Sequence, residues 1–230
     1  MITTILWDVD GTLLDFAAAE AAAIRRLFGE YALGECTDAM LHRYSAINKS
    51  WWQRLERGEC TKPETLVGRF RDFLAGEGLD SSLAPELNGK YQLYLGDTIV
   101  YRDDSYQLVQ SLRGRVKQYV VSNGTVVAQT KKLRLSGLGA LMDGIFLSEE
   151  LGVEKPNFAF FDAVFAKTGI SDHRQVLIVG DSCTSDILGG NNAGILTCWY
   201  NPQGEARTVD CHVDYEITRL QQVLPLLEQA

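Results

Sequence analysis

The chain has no apolar run approaching the roughly 18 residues that a membrane-spanning helix needs. It is also short of positive charge, with 22 Lys and Arg against 30 Asp and Glu and a formal net charge of −8. No basic stripe is present, which argues against a nucleic-acid polymer or an anionic membrane surface as partner. Metal-binding and redox signatures are missing too. The three histidines, His42, His173 and His212, lie far apart, and the five cysteines, Cys36, Cys60, Cys183, Cys198 and Cys211, form no C-x-x-C pair. That excludes the common sequence patterns of zinc sites and dithiol chemistry. An odd set of scattered thiols fits a reducing compartment, and the N-terminal residues show no secretory pattern, so the expected location is cytoplasmic.

What is present begins at Ile5-Leu6-Trp7-Asp8-Val9-Asp10-Gly11-Thr12-Leu13. An apolar run ends there in two carboxylates, a glycine and a hydroxyl, which reads as a buried strand followed by a loop at its carboxyl end. Ligands of open α/β sheets sit outside those ends. Asp8 and Asp10 are expected to meet a ligand from different directions, two carboxylates with two tasks.

The next stretch is of another kind. Asp15 to Phe28 is alanine-rich and favours helix. Tyr44, Ile47, Trp51 and Leu55 recur at steps of three and four, and Thr61-Lys62-Pro63-Glu64 opens a further helix with an early proline. Residues 16–96 are therefore expected to be an all-α insertion, with residues 1–15 and 97–230 forming the other domain. From Asp103 the pattern alternates between helix and strand. Strands are expected at 117–122, 144–148, 175–179 and 195–200, and helices at 103–112, 126–135, 157–168, 185–191 and 220–227. That alternation predicts a parallel sheet with right-handed crossovers, a Rossmann-like three-layer α/β fold.

Polar groups gather at the predicted strand ends: Asp8 and Asp10, then Ser122-Asn123-Gly124, then Lys155-Pro156, then Gly180-Asp181-Ser182 with Asp186. In a parallel sheet these loops share one rim. The ordered set resembles the haloacid dehalogenase-like hydrolase superfamily over the whole chain, including a helical cap inserted after the first strand. The resemblance implies a Mg²⁺-dependent phosphoryl-transfer site. Asp8 would be the nucleophile, forming an aspartyl-phosphate that splits hydrolysis into two easier steps. Asp10 would protonate the leaving alcohol and later deprotonate water, and Lys155 would bridge Asp8 and the phosphoryl oxygens. Ser122, Asn123 and Gly124 would hold phosphate, and Gly11 and Thr12 would let the loop approach it. Asp8, the Asp10 carbonyl and Asp181 would bind Mg²⁺, with Asp186 orienting that set.

Dehalogenases of the superfamily lack the second aspartate, so Asp10 argues for phosphoryl chemistry. The cap stretch Ile47 to Glu59, Leu14-Asp15-Phe16, and Ser148 to Pro156 are similar to the YjjG-type 5′-nucleotidases, which implies pyrimidine or noncanonical nucleoside monophosphates as substrates. Phe16, Asn48 and Trp52 are then candidate base contacts. The expected partner is a small phosphate monoester, and the expected assembly is a monomer or weak homo-oligomer. Two alternatives stand beside this reading: a phosphatase or phosphomutase for another small phosphate such as a sugar phosphate, and a non-catalytic binding protein on the same scaffold. Tyr101-Arg102-Asp103-Asp104 departs from the Pro-Gly turn of many relatives and leaves the hinge geometry open.

Overall fold

The protein's structure, a computed structural model, describes residues 1–207 and 209–229. In chain order it runs β1 (Thr4–Trp7), α1 (Phe16–Glu30), α2 (Asp38–Glu56), α3 (Lys62–Gly76), α4 (Ala84–Leu95), α5 (Ser105–Leu112) and β2 (Lys117–Ser122). It continues through α6 (Val126–Leu135), β3 (Gly144–Leu147), α7 (Ser148–Leu151), α8 (Phe158–Thr168) and β4 (Val176–Gly180). The last elements are α9 (Leu188–Ala193), β5 (Leu196–Tyr200), β6 (Tyr215–Ile217) and α10 (Val223–Gln229). The chain divides into two compact units, Met1–Asp15 with Ile99–Ala230, and Phe16–Thr98.

The first unit is a Rossmann-like α/β layer structure. Its six strands are all parallel, in the order β3-β2-β1-β4-β5-β6. β1, apart from Thr4, and β4 are apolar, and both are buried along their whole length, as strands covered on both faces must be. Alternation sorts their side chains between two cores. Ile5, Trp7, Val120 and Val179 join Leu108, Val109 and Leu112 of α5 on one face. Leu6, Val121 and Ile178 meet Phe160, Phe161 and Phe165 of α8 on the other. A buried phenylalanine removes roughly 150–250 Å² from water, an upper bound of about 4–6 kcal/mol each. β6 is a strand that the sequence pattern does not reveal: three residues with Glu216 at the centre, lying at the sheet edge.

The Tyr101–Asp104 segment shortens α5 relative to expectation. Asp103 and Asp104 take positive φ values of 44° and 54°, so the helix starts only at Ser105. The left-handed conformation is held from outside, since Asp103 Oδ2 accepts from Tyr200 Oη (3.0 Å) and from the Leu220 amide (3.1 Å). An aspartate tolerates this region better than most residues.

The second unit is all helical. Thr37 caps α2, and Thr61 with Glu64 forms a capping box on α3, with Pro63 in the first turn. Its centre is aromatic: Tyr44 packs against Phe70, Phe73 and Tyr91 at centroid distances of 5.1, 5.2 and 5.7 Å. No helix among the described residues is long and apolar enough to cross a membrane.

Candidate active site at the carboxyl rim of the sheet

Register places the polar motifs side by side. Trp7 pairs with Val120 of β2 and with Val179 of β4, so Asp8 emerges between Val121 and Gly180. The Asp8 amide extends the ladder by donating to Val179 O at 3.0 Å. Strand alternation alone would set Asp8 and Asp10 on one face. They reach different partners because β1 ends at Trp7 and the chain turns through Gly11, whose φ is 93°.

Asp8 faces Lys155. The Lys155 ammonium is 1% exposed and donates to Asp8 Oδ1 (2.8 Å), Asp186 Oδ1 (2.6 Å) and the Val121 carbonyl (2.8 Å). Burying an ammonium costs several kcal/mol, and three close acceptors offset it. Burial opposes its charge, but Asp186 and Asp8 hold its pKa above the usual lysine value. Asn123 fixes the backbone beneath it: Asn123 Nδ2 donates to the Lys155 carbonyl and Asn123 Oδ1 accepts from the Lys155 amide, both at 2.9 Å. Ser122 is buried, and its Oγ accepts from the Gly124 amide at 3.1 Å. Asn123 thus grips Lys155, while Ser122 and Gly124 shape the loop beside it.

Asp8, Asp181 and Asp186 each offer a carboxylate oxygen, and these atoms lie within 4.8 Å of one another. Like charges at that separation repel by roughly 3–4 kcal/mol per pair at an effective dielectric near 20. Burial, against the pull of Lys155 and with the push of Asp186, raises the Asp8 carboxyl to about 7. Asp181 is open to solvent on one side, yet the protein around it, then Asp8 and Asp186, push its carboxyl upward. Asp8 and Asp186 share the single ammonium of Lys155, and Asp181 adds a third carboxylate beside them. This all-oxygen, charge-deficient set fits a divalent cation of the Mg²⁺ class. Asp186 lies in this carboxylate group, and its Oδ1 is held by Lys155. It also accepts from the Ser182 amide at 3.1 Å.

Small residues make room for these carboxylates. A Cβ on Gly11 would strike the Asp181 carboxylate, and one on Gly180 would strike that of Asp186. Thr12 is fully buried and its hydroxyl donates to Asp181 Oδ1 at 3.3 Å, so it steadies Asp181 and does not line the crevice. Trp199 Nε1 donates to the Asp181 carbonyl at 2.9 Å and anchors the same loop from β5.

Asp10 has partners that sequence reasoning missed. Gln129 Nε2 donates to Asp10 Oδ2 at 2.6 Å, and Lys132 Nζ pairs with Asp10 Oδ1. Both come from α6, which starts directly after Ser122-Asn123-Gly124. Their spacing of three residues on a helix after a rim motif was the available signal.

The three candidate base contacts fare differently. Asn48 is 3% exposed, with Nδ2 donating to Glu20 Oε1 (2.9 Å) and Oδ1 accepting from Arg69 (2.8 Å), all within the helical unit. Its amide is committed to that interior network, which corrects the expectation that it reads a base. Trp52 and Phe16 are half-buried. Trp51 packs on Gly68 and donates to Asp72 Oδ2 at 2.8 Å, inside the helical packing.

Comparison with known proteins gives a consistent neighbourhood. Residues 2–194 match the family model described as haloacid dehalogenase-like hydrolase. YfnB of Bacillus subtilis is 37% identical over 97% of this chain and 94% of its own. The crystal structure of YfnB bound to magnesium superposes with a TM-score of 0.90 over 99% of both chains. The pyrimidine 5′-nucleotidase PynA of Streptococcus pneumoniae is 33% identical over 98% of this chain and 94% of its own. The pyrimidine 5′-nucleotidase YjjG of Escherichia coli is 31% identical over 94% of this chain and 96% of its own.

Proposed function

The chain belongs to the haloacid dehalogenase-like hydrolase family, and from that premise we propose that it is a Mg²⁺-dependent phosphomonoesterase, a 5′-nucleotidase for pyrimidine or noncanonical nucleoside monophosphates. The observation that carries this reading is the meeting of Asp8, Asp10, Lys155 and Asp181 at one rim, with negative charge in excess. Relatives named as pyrimidine 5′-nucleotidases align over nearly all of the chain, helical insertion included, which supports the substrate class.

In this reading Asp8 attacks phosphorus, and its bond to phosphorus forms as the bond to the leaving oxygen breaks. Asp10 gives its proton to that oxygen, and then removes one from the water that hydrolyses the aspartyl-phosphate. Such proton transfer contributes typically 10²–10⁴-fold. Lys155 aims Asp8, favours its ionised form against the effect of burial, and neutralises charge on the phosphoryl oxygens. The Ser122–Gly124 loop cradles another of those oxygens. Asp8, Asp181 and the Asp10 carbonyl, with Asp186 beside them, would hold Mg²⁺, which when bound offsets the carboxylates and polarises the phosphoryl group. The five cysteines, which form no disulfide among the described residues, accord with the cytoplasmic setting of this reading.

A panel of phosphate esters with Mg²⁺ tests the proposal. Nucleoside monophosphates are expected to lead in kcat/KM, and a preference for sugar phosphates would overturn the substrate class. Trp52→Ala is expected to change the ranking of bases. An unchanged ranking would remove Trp52 from the base site.

A further inference from the structure

Asp10 is held in a way that no motif announces. Its two carboxylate oxygens have separate donors, Gln129 Nε2 on Oδ2 and Lys132 Nζ on Oδ1. Both donors sit on α6 and are buried, at 0% and 1% exposure, while the Asp10 side chain keeps 23% of its surface open. The carboxylate is therefore gripped from behind and free in front.

Two further observations separate this arrangement from ordinary packing. Gly124 has no room for a side chain, because a Cβ there would collide with the Gln129 amide and its stem. The last residue of the Ser122-Asn123-Gly124 motif is thus shaped to admit the Gln129 side chain. Gln129 Oε1 is buried without a hydrogen-bond partner, a cost of about 1–3 kcal/mol that a glutamine placed only for stability would avoid. Burying the Lys132 ammonium costs several kcal/mol more before its pairing is counted.

We infer that Gln129 and Lys132 are positioning residues that clamp the Asp10 carboxylate in line with the leaving oxygen of the substrate. The inference rests on the phosphomonoesterase reading above. In the first half-reaction the Asp10 proton passes to the leaving oxygen as the O–P bond breaks. In the second, Asp10 takes a proton from the water attacking the aspartyl-phosphate. A misplaced carboxylate therefore slows departure of poor leaving groups and slows hydrolysis of the intermediate, while good leaving groups still depart unaided.

The test compares Lys132→Met, Gln129→Met and the unaltered enzyme on a nucleoside monophosphate and on aryl phosphates of graded leaving-group basicity, 4-nitrophenyl phosphate among them. The readout is kcat/KM, which covers steps up to departure of the leaving group. With Lys132→Met, kcat/KM is expected to fall by about 10²-fold on the nucleotide and less than about 3-fold on 4-nitrophenyl phosphate. Nitrophenolate should then appear as a burst, because hydrolysis of the intermediate becomes limiting. Gln129→Met, which keeps the cation, is expected to give the same split with smaller amplitude, and Lys132→Arg to restore most of the nucleotide activity. Equal losses across the leaving-group series, without a burst, would overturn the clamp. If the unaltered enzyme hydrolyses none of these esters, the phosphomonoesterase reading fails first, and the two failures are distinguishable.

Discussion

Each unit of this protein buries a cation within a polar cluster, and the burials of Arg69 and Lys155 are opposite in kind. In the helical unit Arg69 is 1% exposed and reaches Asn48 (2.8 Å), Asn88 (3.1 Å) and the Leu66 carbonyl (3.3 Å). Its guanidinium also lies over the rings of Phe70 and Tyr91. Glu20 completes the network through Asn48, so one buried cation answers one buried carboxylate. Burial raises the Glu20 carboxyl, with Ser45 and Arg69 pulling it back. At the sheet rim Lys155 pairs with Asp8 and Asp186, and Asp181 crowds in as a third carboxylate. The balanced cluster needs nothing from outside and fixes how helices pack. The unbalanced one is held in place by the sheet and calls for a ligand with positive charge. Charge balance, more than burial, separates the structural cluster from the chemical one.

The contrast is sharpest for loss of activity. Asp8→Asn at the rim is expected to reduce turnover by about 10⁴-fold or more while the protein stays folded, measured by phosphate release and circular dichroism. Substantial residual turnover would remove the covalent step. Arg69→Met should do the reverse. Leaving Glu20 buried without its cation is expected to cost about 3–5 kcal/mol, read as a fall in Tm of about 10 °C or more. Adding Glu20→Gln to Arg69→Met should recover part of that loss, and strict additivity would show that the pair is uncoupled.

Metal addition separates the clusters next. Chelation is expected to stop activity and Mg²⁺ to restore it. At about 100 times Kd, Mg²⁺ should stabilise the protein by about 2.7 kcal/mol, and Asp181→Asn should weaken that gain. In the metal-free protein Asp181→Asn is expected to raise Tm by about 2–4 °C, since it relieves repulsion without unpairing a cation. The same crowding predicts a pH dependence. The folded Asp8 carboxyl titrates at about 7, above its unfolded value near 4. A raised carboxyl contributes stability that is complete below about pH 4 and lost as pH rises through about 7. Tm in EDTA should therefore fall over that window, and Mg²⁺ should flatten the slope. The smallest expected effect is Trp199→Phe. It removes one hydrogen bond to the Asp181 carbonyl, about 1 kcal/mol, and should weaken Mg²⁺ response by a few-fold.

Much of this was readable from residue order because the rim is built by local rules. Apolar runs such as Val176-Leu177-Ile178-Val179 announce buried strands, and their register carries the polar residues that follow to one edge. What escaped depends on contacts distant in sequence. Asn48 lies on the buried face of α2 because Glu20 and Arg69 meet it there, whereas Ile47, which fits the apolar stripe, is only half-buried. Gln129 and Lys132 look like ordinary polar helix positions until Asp10 is placed beside them. β6 is only three residues long, too short to show an alternating pattern, and its pairing with β5 defines it. Asp186 sits in a π-type turn, Cys183–Ile187, that brings it back under the ammonium of Lys155.

The join between the two units has its own consequence. The chain leaves the sheet unit at Leu14-Asp15 and returns at Val100-Tyr101-Arg102, and these segments are already paired. The Asp15 amide donates to Val100 O (2.8 Å), the Arg102 amide donates to Leu13 O (3.1 Å), and Arg102 faces Asp15 at 3.4 Å. Exit and entry points thus form a ready-made splice junction. A two-residue turn of the hairpin type could close it, which makes residues 16–98 an exchangeable cassette for recombination among relatives.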